Sequence, residues 1–318
     1  MNSTAVVDAA VAVLVRPDGR VLLGQRPEGK PWAGWWEFPG GKIEDGESAL
    51  HALQRELDEE LGTRAVEAYP WLTRSFAYPE KTVRLHFFMV RRWTAEPHGR
   101  EGQLLSWQDP SALTVGPMLP ANEPILAALM LPPIYAITNL AETGETKFFA
   151  QLEQALARGL RLIQIREKQL ERDALYRFSE KVLGLAQPYN ARVLLNGNVG
   201  LARTLGAHGV HLSSRQLMAL QGKPADLLCA ASCHNSEELQ QAQKLGLDFV
   251  VAGPVKPTRS HPDAVTLGWE GLAGMIKDSA VPVYALGGLQ PNDLDSAWRS
   301  GAHGIAMQRG LWSDASLP

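Results

Sequence analysis

The chain has few cysteines and no long apolar run. Cys229 and Cys233 are its only cysteines, so no second pair exists to complete a zinc site, and a reducing compartment fits. No stretch reaches the roughly 20 apolar residues that a membrane span requires. The segment from Met1 to Val15 lacks the basic start of a signal peptide and is interrupted by Asp8, which favours a first strand. We therefore expect a cytoplasmic protein that does not bind membranes.

The chain also lacks an excess of positive charge. Its 31 lysines and arginines stand against 34 aspartates and glutamates, which gives a formal net charge of -3. This balance gives no electrostatic reason to expect a polymeric nucleic-acid partner. The content of 45% hydrophobic and 20% charged residues is ordinary for a globular protein. A length of 318 residues is sufficient for two domains with separate cores.

What the chain does have is a dense group of carboxylates before Gly62. Glu56, Glu59 and Glu60 are spaced i, i+3 and i+4, so they fall on one arc of a helix. A separate apolar stripe is formed by Leu50, Leu53, Leu57 and Leu61. Three carboxylates this close repel one another unless a cation neutralises them, and oxygen ligands suit Mg²⁺ or Mn²⁺. The alternative is a solvated acidic helix face.

The sequence around these acids follows a long fixed pattern. Phe38-Pro39-Gly40-Gly41 is a rigid turn before the helix, and Gly62 is a helix stop. From Gly41 the pattern is glycine, five residues, Glu, seven residues, Arg-Glu, an aliphatic residue, any residue, Glu-Glu, any residue and glycine. This resembles the Nudix box at every fixed position, and only Thr63 departs from it, at the terminal aliphatic site.

Four further stretches of sequence narrow the resemblance to one branch of the Nudix proteins. They are Trp36–Glu44, Glu96-Pro97, Glu101–Gln103 and Pro120–Pro124, and they are similar to the MutT-type 8-oxo-dGTP diphosphatases over roughly residues 11–129. The resemblance implies an α+β Nudix fold that uses Mg²⁺ or Mn²⁺ and a nucleoside triphosphate substrate. The implied reaction cleaves 8-oxo-dGTP to 8-oxo-dGMP and pyrophosphate, which keeps an oxidised base out of DNA.

The resemblance also assigns roles to particular residues. The implied catalytic and metal-binding acids are Glu56, Glu59, Glu60 and Glu101, with the Gly40 carbonyl as a further metal ligand. The implied substrate-binding residues are Arg26, Phe38, Gly41, Lys42, Phe87 and Asn122. Asn122 reads the modified purine in this interpretation, since an amide both donates and accepts hydrogen bonds. The structural alternatives are a core position for Phe87, a surface position for Arg26 and a helix N-cap for Asn122.

The pattern of strands and helices changes near residues 131–133. Before that point, strand-like runs at Ala9–Val15, Val21–Gln25 and Val83–Val90 surround the acidic helix, and a second helix is predicted over Glu123–Met130. After it, eight strands are predicted at Ile134–Thr138, Arg161–Arg166, Arg192–Leu195, Gly209–Leu212, Leu227–Ala231, Asp248–Ala252, Val281–Leu286 and His303–Met307. Their alternation with helical stretches predicts a (β/α)₈ TIM barrel, with a doubly wound open sheet as the alternative. We place the domains at residues 1–131 and 134–318.

Motifs in the second part have their own resemblance. Residues 164–168, 209–212, 253–258 and 285–289 are similar, in the same order, to thiamine-phosphate synthases and their thiazole-tautomerase relatives. The resemblance implies a phosphorylated thiazole-type ligand. The implied ligand-binding residues are Gln164, Arg166, Lys168, Asn196, His234, Gly287, Gly288 and Gln308. Glycine-rich loops after the last two strands suit a phosphate, because backbone N–H groups donate to it, although such glycines also serve tight turns.

This second part departs from the synthase pattern at three positions. Gly197 and Gln216 stand where metal-binding aspartates are expected, and His261 replaces a lysine. Without the two carboxylates, a pyrophosphate leaving group loses its main charge compensation. His234 matches the proton-transfer histidine of the tautomerases, although a lone histidine at a strand end is more often structural. Synthase activity is therefore not expected, while a tautomerase or a phosphate-binding regulatory role stays open.

Three functional hypotheses follow from the sequence. The first is a metal-dependent 8-oxo-dGTP diphosphatase joined to a synthase-inactive barrel. The second is a thiamine-pathway enzyme whose Nudix domain cleaves pathway pyrophosphates. The third makes the barrel a ligand-sensing or oligomerising module without catalysis. The segment around Asn122 favours the first over the second.

Overall fold

The structure is a computed structural model that describes residues 6–78, 81–259 and 265–312. The chain forms two compact units, one built from Met1–Leu131 and Asp278–Ala280 and the other from Pro132–Lys277 and Val281–Pro318. Each unit has hydrophobic clusters of its own. Among the described residues, no helix combines the length and apolar character needed to cross a bilayer.

The first unit is an α+β arrangement of two sheets and two helices. Its elements are β1 (Val6–Leu14), β2 (Val21–Gln25), β3 (Trp36–Glu37), β4 (Gly40–Lys42), α1 (Ala49–Leu61), β5 (Ala65–Ala77), β6 (Thr82–Trp93), β7 (Leu105–Gln108) and α2 (Glu123–Leu129). The strand orders are β4-β1-β6-β5 and β3-β2-β7. β1 pairs in parallel with β6 and antiparallel with β4, where Val11 stands opposite Gly40. The glycine-rich turn is thereby fixed on the central strand of the first unit.

Helix α1 forms where the carboxylate spacing predicts it. The Ser48 side chain accepts a hydrogen bond from the His51 backbone N–H and caps the start of the helix. Gly62 ends the helix in the left-handed conformation, with φ 64°, as expected of a helix stop. Leu53, Leu57 and Leu61 are buried, whereas Leu50 is 43% exposed. The apolar stripe therefore packs inward over its last three positions and leaves the acids at its edge.

The strand β5 is missing from the sequence-based prediction. It is 13 residues long and contains Pro70. Proline removes a ladder donor, and a run that contains one argues against a central strand. β5 lies at the edge of the described sheet, where β6 is its ladder partner and the register shifts after Pro70, so the proline is tolerated.

The second unit is a closed barrel of eight parallel strands. Its strands are β8 (Ile134–Ile137), β9 (Leu162–Ile165), β10 (Arg192–Asn196), β11 (Gly209–Leu212), β12 (Leu228–Cys233), β13 (Phe249–Ala252), β14 (Val283–Leu286) and β15 (Gly304–Met307). Its helices are α3 (Leu140–Thr143), α4 (Glu145–Ala157), α5 (Arg172–Ala186), α6 (Val199–Thr204), α7 (Ser214–Ala219), α8 (Ser236–Lys244), α9 (Gly268–Ile276) and α10 (Leu294–Arg299). Ala306 of β15 pairs with Tyr135 of β8 and closes the sheet. The predicted barrel is confirmed, and the open sheet is excluded.

Aromatic side chains from well-separated strands fill the barrel interior. Tyr135, Phe249 and Tyr284 are completely buried, and each ring contacts the other two at centroid distances of 5.1–5.7 Å. The ring of His211 lies 5.8 Å from that of Tyr135. The barrel is thus a packed core without room for a ligand at its centre, and sites in barrels of this kind lie at the loops that follow the strands.

Candidate functional sites

The first unit contains a pocket of about 320 Å³ at the glycine-rich turn. The predicted site residues that line it are Arg26, Gly40, Gly41, Lys42, Glu56, Glu60 and Glu101. They come from the end of β2, from β4, from α1 and from the loop between β6 and β7. The fold thus brings together residues from four separate segments of the sequence.

The acids of the pocket repel one another. Burial first, and then the negative charges of Glu56 and Glu101, raises the pKa of the Glu60 carboxyl to about 7. Burial likewise raises the pKa of Glu56. No hydrogen bond or ion pair reaches the Glu60 carboxylate from any residue that the structure describes. Glu60 is therefore a partly desolvated carboxylate that no described cation contacts, although the nearby charge of Lys30 offsets part of the rise in its pKa.

Arg55 connects helix α1 to the turn before it. Its guanidinium donates to Glu56 at 2.7 Å, to Glu59 at 3.2 Å, to Glu47 at 3.0 Å and to the Lys42 carbonyl at 3.0 Å. Hydrogen bonds that the guanidinium donates to Glu47 and Glu56 raise the pKa of Arg55. The Glu59 side chain is 58% exposed and does not line the pocket. In this structure Glu59 therefore stands apart from Glu56 and Glu60.

Two cations pair with acids at the rim of the pocket. Lys30 Nζ lies 2.5 Å from Glu101 Oε2, and the Arg26 guanidinium lies 2.5 Å from Glu37 Oε1. The hydrogen bond to Glu101 raises the pKa of Lys30. Lys30 and Glu37 are pocket residues that the sequence did not reveal. Lys30 lies in the loop between β2 and β3, where no periodicity or motif marks an inward side chain.

Gly41 is required by the position of Glu56. A Cβ atom on Gly41 would overlap the Glu56 carboxyl group. A Cβ on Gly40 would overlap the Ala10 carbonyl of β1, and Gly40 adopts φ 147°. Gly41 thus permits the backbone to pass directly beside the Glu56 carboxyl group, and Gly40 permits it to pass beside the backbone of β1.

The resemblance implies Mg²⁺ or Mn²⁺ at this site. Within the described ranges, no three acidic, histidine or cysteine side chains are grouped closely enough to coordinate one ion as they stand. The donor set still fits a hard divalent cation, because Glu56, Glu60 and Glu101 offer carboxylate oxygens to one pocket. Their repulsion, expressed in the raised pKa of Glu60, is what a bound cation relieves.

Three predicted substrate-binding residues lie outside this pocket. Phe38 and Phe87 are 2% and 1% exposed and pack in one hydrophobic cluster with Trp36 and Ile125. Asn122 is 4% exposed and stands at the N-cap position of α2. Its side chain makes no capping hydrogen bond, so N-capping does not account for a buried amide there.

The second unit has a larger cavity, of about 800 Å³, at the carboxyl ends of its strands. Every predicted barrel residue lines it: Gln164, Arg166, Lys168, Asn196, His234, Gly287, Gly288 and Gln308. The Gln164 side chain donates to Asn196 Oδ1 at 3.1 Å, and this bond joins two neighbouring strands. The loops after β9, β10, β12, β14 and β15 therefore converge on one cavity.

The charged residues of this cavity are positive. Arg166, Lys168, Arg259 and Arg309 line it, and none of the described lining residues is Asp or Glu. Burial lowers the pKa of the Arg166 guanidinium, because the charged form loses hydration there. Arg309 forms an ion pair with Glu142. A cavity of this composition favours an anionic ligand.

Gly197 and Gln216 contact each other directly. Gln216 Nε2 donates to the Gly197 carbonyl at 2.8 Å, while its Oε1 accepts from the Ser213 backbone at 3.1 Å. An amide therefore joins the loop after β10 to the first turn of α7. The synthase resemblance implies Mg²⁺ between carboxylates at these positions, and the residues present do not fit it, because neither carries charge. His261 lies outside the described residues.

His234 has a defined orientation at the cavity. Its Nδ1 lies 3.1 Å from the Gly253 carbonyl oxygen, which can only accept, so the imidazole donates through Nδ1. In the neutral ring, Nε2 is then the acceptor. His234 is therefore able to take a proton or a hydrogen bond from a ligand.

Comparison with known proteins agrees with both halves of the chain. Residues 6–129 match the family model for the NUDIX domain, and residues 134–311 match that for thiamine monophosphate synthase. An 8-oxo-dGTP diphosphatase of Haemophilus influenzae is 38% identical over 125 residues, which cover 39% of this chain and 92% of that protein. One of Escherichia coli is 35% identical over 120 residues, or 38% of this chain and 93% of that protein.

The second unit has relatives of its own. A thiamine-phosphate synthase of Azorhizobium caulinodans is 30% identical over 182 residues, which cover 56% of this chain and 86% of that protein. The two matched segments follow one another without overlap and coincide with the α+β unit and the closed barrel. The chain therefore belongs to the Nudix family through its first part and to the thiamine monophosphate synthase family through its second.

Proposed function

We propose that the first unit hydrolyses 8-oxo-dGTP to 8-oxo-dGMP and pyrophosphate and so removes an oxidised precursor of DNA. The observation that carries this proposal is the pocket at Gly40-Gly41, into which Glu56, Glu60 and Glu101 converge. Two relatives that are named as 8-oxo-dGTP diphosphatases support the choice of substrate. The proposal makes this half of the chain an enzyme of nucleotide-pool sanitation.

The mechanism assigns a task to each group. Glu56, Glu60, Glu101 and the Gly40 carbonyl would hold Mg²⁺ or Mn²⁺, which when bound neutralises phosphate charge. Glu59 would join them by turning its exposed side chain toward the pocket. Glu101 orients the attacking water from the loop opposite α1. The water oxygen bonds to the β-phosphorus while its proton passes to a carboxylate of the pocket, the bond from that phosphorus to the α–β bridging oxygen breaks, and the nucleoside monophosphate leaves. Arg55 holds Glu56 in place through its hydrogen bond.

We assign recognition of the oxidised base to Asn122. A buried amide that is not used as a helix cap is available to a ligand, and it can both donate and accept. Asn122→Ala should lower the preference for 8-oxo-dGTP over dGTP by about tenfold, or ~1.4 kcal/mol. Steady-state kinetics on both nucleotides measures it. An unchanged ratio of kcat/KM values would assign recognition to other residues.

The substrate panel that tests the main proposal contains 8-oxo-dGTP, dGTP and thiamine-type pyrophosphates, each with Mg²⁺ or Mn²⁺. We expect the highest kcat/KM for 8-oxo-dGTP. Equal values for both nucleotides, or faster cleavage of a thiamine-type pyrophosphate, would favour the thiamine-pathway alternative instead.

For the second unit we propose binding of a phosphorylated small molecule without thiamine-phosphate synthesis. The support is a positively charged cavity with glycines at its phosphate-type loops, together with the uncharged pair Gly197 and Gln216. A thiazole tautomerase is the second candidate, because His234 presents Nε2 as an acceptor. Supplying the full chain with both synthase substrates and Mg²⁺ tests the first statement, and robust product formation would contradict it.

Calorimetry with a thiazole phosphate tests binding. Arg166→Met removes the half-buried guanidinium of the cavity and should weaken binding by about tenfold or more, since hydrogen bonds to charged groups contribute ~1.5–3 kcal/mol. A matched control is Arg172→Met, which removes a cation that does not line the cavity. Equal affinities for the wild type and Arg166→Met would contradict the assignment.

A further inference from the structure

The loop between β6 and β7 donates hydrogen bonds to the last turn of α1. The final carbonyl groups of a helix have no partner within the helix itself. Here the Arg100 backbone N–H donates to the Glu60 carbonyl at 2.9 Å, and the His98 backbone N–H donates to the Leu61 carbonyl at 3.1 Å. The Arg100 guanidinium donates to the Asp58 carbonyl at 2.9 Å. The loop is therefore fixed to the end of the helix that carries the acids of the pocket.

Gln103 connects this helix end to Glu101 through a single amide group. Its Nε2 donates to the Glu60 carbonyl at 3.0 Å, and its Oε1 accepts from the Glu101 backbone N–H at 2.8 Å. A backbone carbonyl can only accept and a backbone N–H can only donate, so the two partners determine which way round the amide lies. The position requires a side chain that donates and accepts at the same time.

The two residues that this amide connects are acids of one pocket. Glu60, Glu101 and Gln103 all line it, although Glu60 belongs to α1 and Glu101 to the loop. The Glu101 carboxylate pairs with Lys30, and both of these side chains are more than 40% exposed. The bond from the Glu101 backbone to Gln103 is shielded better, because Gln103 is half-buried. Gln103 thus links the backbone of one acid to the backbone of the other.

We propose that Gln103 is a positioning residue for the hydrolysis assigned to the first unit, and this inference rests on that proposed function. Its amide holds the Glu101 backbone at a fixed place beside the Glu60 turn of α1, so that both carboxylates face the same pocket. A displacement of a reacting group by ~1 Å can lower a rate by about a hundredfold. Gln103 transfers no proton in this assignment, and its effect on the reaction passes through Glu101.

A double-mutant cycle with Glu101→Gln tests whether Gln103 acts through Glu101. Gln103→Met keeps the length of the side chain and removes the amide. We expect it to lower kcat for 8-oxo-dGTP by about ten- to hundredfold and to change KM by less than about threefold. In the Glu101→Gln background, the same substitution should change kcat by less than about twofold, because the acid that it positions is already lost. An equal loss of kcat in both backgrounds would overturn the proposal.

Gln54 provides a matched control on the same helix. Its Nε2 donates to the Ala65 carbonyl at 2.8 Å, and its Oε1 accepts from the Ala65 backbone N–H at 3.0 Å. Gln54→Met therefore removes two hydrogen bonds of the same kind, from an amide that does not line the pocket. We expect similar losses of thermal stability in both variants, and a kcat within about twofold of the wild type in Gln54→Met. A loss of kcat as large as that in Gln103→Met would show that stability alone explains the effect.

Binding of Mn²⁺ to the nucleotide-free protein tests the same role without turnover. Gln103→Met should weaken it by about two- to tenfold, the effect of one neutral hydrogen bond, and by less in the Glu101→Gln background. Electron paramagnetic resonance of free Mn²⁺ measures the affinity. A wild type that does not hydrolyse 8-oxo-dGTP would reject the proposed function, and the Mn²⁺ measurements would then decide the role of Gln103. Equal Mn²⁺ affinity in the wild type and Gln103→Met would overturn that role, whatever the substrate.

Discussion

The ionised Glu60 carboxyl lowers the free energy of unfolding of the metal-free chain. Its pKa of about 7 in the folded chain compares with an ordinary value of 4.5. Between these values the folded carboxyl keeps a proton that the unfolded chain has lost, so the folded state binds more protons. The free energy of unfolding therefore falls as pH rises from about 4.5 to about 7 and stays reduced above that.

Glu60→Gln should consequently change activity and stability in opposite directions. We expect kcat to fall by at least about a thousandfold, equivalent to ~4 kcal/mol of barrier. At pH 8 without metal, the free energy of unfolding should rise by on the order of 1–3 kcal/mol, and at pH 5 by less. Urea unfolding at both pH values measures the change in the free energy of unfolding. Glu153→Gln, at an exposed position, is the control. A less stable variant at pH 8 would contradict the assignment.

Gly41 is a second position, where the addition of a single Cβ atom is expected to change activity. In Gly41→Ala the new Cβ displaces the Glu56 carboxyl, the flexible end of a side chain, so the backbone can stay in place. We expect kcat/KM to fall by about a hundredfold, or ~2.7 kcal/mol, with little change in thermal unfolding. Gly184→Ala, where a Cβ meets no atom within 4 Å, is the matched control. Normal turnover in Gly41→Ala would show that the position of Glu56 is not critical.

At the scale of elements, two loops of the first unit add side chains to the pocket that α1 lines. The loop between β2 and β3 carries Lys30, and the loop between β6 and β7 carries Glu101. Their ion pair places the Lys30 ammonium group against the Glu101 carboxylate of the pocket. Lys30 thus competes with any divalent cation for Glu101.

Removal of that cation should strengthen metal binding. In Lys30→Met, we expect the affinity of the nucleotide-free protein for Mn²⁺ to rise by about two- to fivefold, the range of a partly exposed ion pair of ~0.4–1 kcal/mol. Electron paramagnetic resonance of free Mn²⁺ measures it. Lys181→Met, which breaks a pair with Glu145 on other helices, removes the same charge and should have no such effect. Weaker Mn²⁺ binding in Lys30→Met would refute the competition.

Comparison of α1 with β5 shows which elements a local sequence pattern can predict and which it cannot. Helix α1 is predictable because its cap, its apolar stripe and its terminal glycine are all local signals. β5 escapes prediction because its tolerance of Pro70 depends on an edge position, which is a property of the sheet. Phe87 alternates along β6 like any strand residue, and its burial in the core depends on the helix and strands packed over it.

At the scale of the molecule, each unit carries its own core and its own cavity. The large cluster that includes Phe148 and Trp312 lies in the barrel, whereas Leu53 and Phe88 belong to a cluster of the first unit. Substitutions in separate cores are expected to act independently on stability and on binding. The hydrolysis proposed for the first unit and the ligand binding proposed for the second can therefore be tested in one chain.

A pair of variants tests this independence. Glu60→Gln should abolish hydrolysis of 8-oxo-dGTP and leave the affinity for a thiazole phosphate within about twofold of the wild type. Arg166→Met should do the reverse. Both variants are assayed at one protein concentration for hydrolysis of 8-oxo-dGTP and for affinity for a thiazole phosphate. Loss of both properties in either variant would indicate that the two sites are coupled.

The sequence by itself determined the two families, the barrel and the acids of the Nudix motif, because these are carried by spacing along the chain and by local turn chemistry. Only the tertiary structure decided that Lys30 pairs with Glu101, that Gly41 makes room for Glu56, and that Tyr135 and Ser232 both lie within hydrogen-bond distance of His211. Such contacts join residues far apart in sequence. Their partners are set by how strands and loops pack, which no local pattern encodes.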